Sequence, residues 1–170
     1  MKRVTFRWIL FILLPLACGS PEKTNDSGLS PRKQLVIQYV DFGWNSNDGT
    51  TLGKILADEF VRNLNGIQVV KGSVELDAYI QNYRKAFPDL RVTLDQWVES
   101  GEQVVAVWTF EGTNTGVFGE FTPTGKKARV HGVSMFTLNE ENKISREDIY
   151  YNELYLLQQL GYELIPPNLE

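Results

Sequence analysis

"LRVTLDQWVESGEQVVAVWTFEG", Leu90 to Gly112, decides the fold. Its apolar residues recur with period two, which predicts two β-strands joined through a turn at Ser100-Gly101. The alternation returns in "ARVHGVSMFTLNEENKISREDIYYN", Ala128 to Asn152, as two more strands joined through Asn139 to Asn142. Between the hairpins lies a glycine-rich loop, "GTNTGVFGEFTPTGKK", Gly112 to Lys127. Upstream of Leu90 the period is helical. Ser30 and Pro31 form a cap and first-turn pair, and Leu35, Val36, Tyr39 and Val40 predict a helix reaching Gly43. Leu52, Ile55, Leu56 and Phe60 predict a second helix, closed near Gly66. A third opens at Ser73, buries Leu76, Tyr79, Ile80, Tyr83 and Phe87 on one stripe, and must stop before Pro88. After the last strand, Asn152 caps a short helix from Glu153 to Leu160 that ends at Gly161. Helices first and a meander of strands afterwards predict an α+β fold. Three N-terminal helices would cover one face of a curved antiparallel sheet, with a cavity between the layers.

The 170 residues, 42% of them hydrophobic, suffice for one packed core and are too few for two domains. The formal net charge is −4. Loss of a leader bearing Lys2, Arg3 and Arg7 would take it three units lower, which disfavours nucleic acid and anionic lipid surfaces as partners. The near-cluster Lys126, Lys127 and Arg129 reads as a solvated strand edge.

The chain opens "MKRVTFRWILFILLPLACGS". A basic start and an apolar run from Trp8 to Ala17 are too short to cross a hydrocarbon layer of ~30 Å, and read as a signal peptide over residues 1–17. Ala17-Cys18 resembles the lipobox of bacterial lipoproteins, although Pro15 and Leu16 depart from its usual order. That resemblance implies lipidation at Cys18 and, with Gly19 after it, an outer-membrane, periplasm-facing location. The alternative is a plain secretory signal with one unpaired thiol, since Cys18 is the single cysteine. Residues 18–31 form a polar, proline-punctuated tether with a reach of roughly 20 Å, which leaves residues 32–165 for the domain.

Several catalytic motifs fail. Gly119 and Gly125 have the wrong spacing for a phosphate-binding loop, and Lys127 stands where a magnesium-binding hydroxyl is needed. Ser134 in "HGVSM" lacks the second glycine of a nucleophile elbow, and His131, three residues away on the same strand, faces the other side. One histidine and one cysteine are too few for a zinc site.

"AFPDLRVTLDQWVESGEQVVAVWTFEGTNTG", "PTGKK" and "KISREDIYYNELYLLQQLG" resemble the SnoaL-like polyketide cyclases and ester cyclases, which share the cone-shaped α+β fold of nuclear transport factors. The resemblance spans roughly residues 32–161. It implies a pocket for a small apolar molecule and aldol chemistry with no metal or organic cofactor, driven by an aspartate on the last strand and assisted by a histidine on the strand before. Those positions fall on Ile149 and near Ser134, so neither group is retained. An isoleucine cannot move a proton.

If Ile149 faces the cavity, period two sends Ser145, Glu147 and Tyr151 inward with it and turns Asp148, Tyr150 and Asn152 outward. A four-residue tip would pair Ser134 with Glu147, making Glu147 the candidate base, with a pKa raised by desolvation. A bulge or another tip length would invert the faces and favour Asp148 with His131. Against both stands a carboxylate paired with Arg146 or Arg129. Trp97, Trp108, Phe110, Tyr150 and Tyr151 read as core or dimer contacts ahead of a ligand cradle. Two functions therefore stay open: an envelope lipoprotein that binds a small apolar molecule and acts on it with cofactor-independent cyclase/isomerase-type chemistry, or a non-catalytic ligand-binding or assembly module of the cell envelope. The convex sheet face of such folds makes a homodimer an expectation.

Overall fold

The computed structural model describes residues 29–166. The Ser30 hydroxyl accepts the Lys33 N–H at 3.2 Å and opens α1 (Pro31–Gln38). The helix continues without a break into a π-helical turn, Tyr39–Asn45, whose wider winding buries Tyr39, Val40, Gly43 and Trp44. A short α2 (Gly49–Ile55), capped by Asp48, leads directly into β1 (Leu56–Leu64) and β2 (Ile67–Lys71). Then follow α3 (Gly72–Ala86), β3 (Arg91–Ser100), β4 (Gln103–Thr113), β5 (Lys127–Leu138), β6 (Ile144–Tyr151) and α4 (Glu153–Leu160). α4 has the expected ends: Asn152 accepts the Tyr155 N–H at 2.9 Å, and Gly161 takes the left-handed conformation at φ 98°.

The expected second helix is corrected here. It stops at Ile55, and Leu56 to Leu64 is a strand. Leu56 and Phe60 satisfy helical spacing, but together with Arg62 and Leu64 they also satisfy period two, and all four are buried. Gly66, expected to close that helix, is with Asn65 one of the two central residues of a hairpin turn, with φ of 86° and 49° respectively. Positive φ at both positions is what a tight hairpin requires, and Asn-Gly supplies it at little steric cost. The four expected strands are thus joined by two more.

One six-stranded sheet results, in the order β2-β1-β6-β5-β4-β3. It is not wholly antiparallel, because β1 and β6 run parallel. This pair brings the early hairpin onto the last strand, and bulges at Arg62/Asn63, Leu94/Gln96 and Thr137/Leu138 help curve the sheet without closing it. The helices lie on the concave face over a core that includes Tyr39, Phe60, Leu76, Ile80, Phe87 and Phe136. Asn114, 1% exposed, pins the glycine-rich loop: its amide donates to the Ala86 and Gly116 carbonyls, and its oxygen accepts the Thr124 N–H.

Candidate functional site

A cavity of about 40 Å³ lies between the concave face of the sheet and the first and third helices. Trp108 and Phe110 of β4, Val130, Ser134 and Phe136 of β5, and Glu147, Ile149 and Tyr151 of β6 form its floor. Tyr39 and Trp44 from the first helix, Tyr83 from α3 and Arg62 from β1 complete the wall. The tryptophan ring reaches the floor because its cross-strand partner is Gly132: a Cβ there would come within 2.2 Å of Trp108 Cζ2.

At the polar end sits a buried ion pair. Arg62 and Glu147 are direct partners across the parallel β1–β6 ladder, each 2% exposed, and Arg62 Nη1 donates to Glu147 Oε2. The same Oε2 accepts the Tyr39 hydroxyl proton at 2.5 Å, and Tyr39 in turn accepts from Arg62 Nη1 at 2.9 Å. Glu147 Oε1 accepts from the Ser134 hydroxyl at 2.7 Å, and Ser134 accepts the Trp108 indole N–H at 3.0 Å. The carboxylate therefore holds three donors. The guanidinium lies 5.0 Å from the centroid of Trp44 and 5.2 Å from that of Tyr79, within cation–π range of both rings. Burial alone would lower the Arg62 pKa, but the adjacent Glu147 charge and neighbouring tyrosines outweigh it and move it upward. Burial and the Glu147 charge raise the Tyr39 pKa well above its ordinary value, so its hydroxyl is a donor at neutral pH.

An aromatic group adjoins this end. The Tyr83 and Tyr151 hydroxyls are 2.8 Å apart, and Tyr79 donates to Tyr83 at 3.4 Å. Burial raises the pKa of both Tyr83 and Tyr151.

Two register shifts explain which face of β6 lines the cavity. Ser134 stands opposite Ile149, and Glu147 is opposite Phe136, so the expected Ser134–Glu147 pairing is off by two residues. The tip spans five residues rather than four, since Leu138 pairs with Ile144, and a bulge between Thr137 and Leu138 adds a second one-residue shift. Two odd shifts restore parity. Glu147, Ile149 and Tyr151 keep the cavity face, and Ser134 reaches Glu147 diagonally.

Asp148 and His131 stand on the opposite face and are not partners. Asp148 accepts a two-pronged hydrogen bond from Arg146, 2.6 Å from Nε and 2.9 Å from Nη2, and one from Asn63 at 2.7 Å. Hydrogen bonding from Arg146 holds its carboxyl below the usual range. Thr109 donates to Asp95 at 2.6 Å and therefore accepts from His131 Nδ1 at 2.9 Å. Arg129 pairs with Glu111 and not with either β6 carboxylate. Trp97 packs against the core, and Tyr150 is exposed on the outer face. Cys18 lies outside the described residues.

Two members of the polar cluster, Tyr39 and Arg62, escaped sequence reading. Tyr39 looked like one more apolar residue of a helical stripe. Arg62 was hidden in a segment assigned to the wrong element, and the Asn65-Gly66 signal was the clue that would have exposed it.

The family model of the SnoaL-like polyketide cyclases matches residues 34–160. Among solved structures, the chain is similar to a SnoaL-like protein from Jannaschia sp. CCS1, with 21% identity, a TM-score of 0.72, and coverage of 81% of this chain and 99% of the other. AclR from Streptomyces galilaeus shows 25% identity and a TM-score of 0.68 over 81% and 85% of the two chains. TsrD from Streptomyces laurentii shows 24% and 0.68 over 79% and 98%. No curated protein sequence matches significantly. The match over most of the chain, on the fold and cavity described above, establishes that this protein belongs to the SnoaL-like polyketide cyclase family.

Proposed function

We propose that this domain binds a small, mostly apolar molecule in its concave cavity and holds it without proton-transfer catalysis. The carrying observation is the state of Glu147: its carboxylate is ion-paired with Arg62 and already accepts from Tyr39 and Ser134. Three donors leave one lone pair on Oε1, and a proton taken up there would remove the charge that balances a buried guanidinium. Ile149, at the position of the family's acid/base, offers only hydrocarbon. A largely apolar wall with a few fixed polar groups at one end is the usual composition of a binding pocket.

The setting proposed for this activity is the bacterial envelope. The basic, apolar N-terminus and Cys18 support export and lipid anchoring, with the tether keeping the domain near the membrane surface. Homodimerisation through the convex face is supported by two cross-strand rows, Val98–Val105–Met135 and Val107–Val133–Tyr150, in which Val98, Val133 and Tyr150 are exposed.

Native mass spectrometry of the purified chain tests the binding function. A co-purified small molecule lost in Glu147→Gln and kept in Asp148→Asn is the expected result. Incubating the chain with a simple ketone in D₂O tests the absence of catalysis. Deuterium exchange at the α-carbon that the wild type accelerates and Glu147→Gln abolishes would overturn it.

A further inference from the structure

Tyr83 lines two spaces. On one side is the inner cavity of about 40 Å³. On the other is a groove of about 510 Å³ between Tyr79 and Lys85 of α3 and Val117 to Gly119 of the glycine-rich loop. Asn82, Lys85, Val117 and Gly119 in its lining are exposed, so the groove opens to solvent. The two sides of the groove are fixed to each other. The Thr115 and Gly116 N–H groups both donate to the Ala86 carbonyl at 3.1 Å, and a Cβ on Gly116 would come within 1.9 Å of the Lys85 carbonyl oxygen. Tyr83 itself is held more lightly. Its hydroxyl meets that of Tyr151 at 2.8 Å, which joins α3 to the sheet by one neutral hydrogen bond, and its ring meets those of Trp44, Tyr79, Phe110 and Phe118 edge-on or tilted. The residue is half-buried, and the groove beside it gives the ring somewhere to turn.

We propose that Tyr83 is the size-determining residue of this site: bonded to Tyr151 it confines the inner cavity, and a larger ligand binds only when the ring turns aside and joins cavity to groove. This rests on the ligand-binding function above and adds what limits the ligand. A single water needs about 10–15 Å³ of such space, so the closed cavity takes only a small group. The groove falls within the roughly 300–1,000 Å³ of ordinary ligand sites. A molecule that requires the open form has its apparent affinity reduced by the fraction of protein in which the ring is turned. One that fits the closed cavity carries no such penalty.

The test compares xenon, a single apolar atom, with N-phenyl-1-naphthylamine, an uncharged aromatic molecule too large for the closed cavity. Each is titrated into the ¹⁵N-labelled full chain and followed by the Trp108 indole N–H resonance, assigned by its loss in Trp108→Phe, because that indole lies in the cavity floor. Tyr83→Phe keeps the ring and removes its hydrogen bond to Tyr151, so the open fraction should rise. The expected result is a rise in the ratio of naphthylamine to xenon affinity by roughly two- to tenfold, the equivalent of one neutral hydrogen bond. Tyr83→Ala removes the partition and should raise the ratio further. A merely structural role would weaken both probes together and leave the ratio where it was. If Tyr83→Ala fails to fold, Tyr83→Phe decides. A ratio unchanged or lowered in Tyr83→Phe would overturn the partition and leave the pocket standing. Naphthylamine binding that leaves the Trp108 resonance unmoved would overturn it likewise, by placing the probe outside the cavity. Failure of both probes to bind any form of the chain would overturn the pocket itself.

Discussion

Glutamine at position 147 would leave the Arg62 guanidinium buried beside a neutral amide. Removing one partner of a buried ion pair typically costs about 3–5 kcal/mol, because the remaining charge stays desolvated. Glu147→Gln is therefore expected to lose stability in that range, measured by urea unfolding at constant m-value. Replacing both residues, Arg62→Met with Glu147→Leu, should cost far less than the sum of the single changes, since no charge is then left alone. A double variant as unstable as that sum would show that the pair does not act as a unit. The same residues illustrate what period can and cannot say. Alternation placed Glu147, Ile149 and Tyr151 on one side, but nothing local to Glu147 announced Arg62, 85 positions earlier.

Between β4 and β5, the pairing of Trp108 with Gly132 lets a large ring lie across the neighbouring backbone. Gly132→Ala would force that ring aside and disturb its hydrogen bond to Ser134. A stability loss of about 1–3 kcal/mol is expected, with a shift in tryptophan fluorescence as the indole leaves its buried site. Unchanged emission would mean that the ring does not depend on the glycine. At this scale the strand hairpins after Leu90 and the terminal helix were legible, because alternation, turn residues and caps all act within a few residues. The β1–β2 hairpin was not, because Leu56 and Phe60 fit both periods and the deciding pattern needed the Asn65-Gly66 turn to be weighed as a hairpin. The β5–β6 tip hid two one-residue shifts whose effects on facing cancel.

For the molecule as a whole, raised pKa values of Tyr39, Tyr83 and Tyr151 link stability to alkaline pH. A phenol whose folded pKa exceeds its unfolded value of about 10 binds its proton more tightly when folded. The stability this contributes is complete below about pH 10 and declines as pH rises through the folded values. Unfolding free energy should fall above that pH, and in spectrophotometric titration these three phenols should ionise only as the fold is lost. Their ionising at pH 10 in the folded protein would contradict the burial. On the convex face, Val133→Glu should shift the proposed dimer to monomer by light scattering while leaving ligand binding intact; an unchanged mass would remove that face from the interface. The sequence by itself determined the α+β class, the family, the third helix and the strands after Leu90, since each follows from short-range periodicity and from motifs that need no distant partner. Only the tertiary structure decided that β1 joins β6 in parallel and that Arg62 neutralises Glu147. The electrostatic state of a buried carboxylate depends on which remote charge the register brings beside it, and register is a property of the assembled sheet.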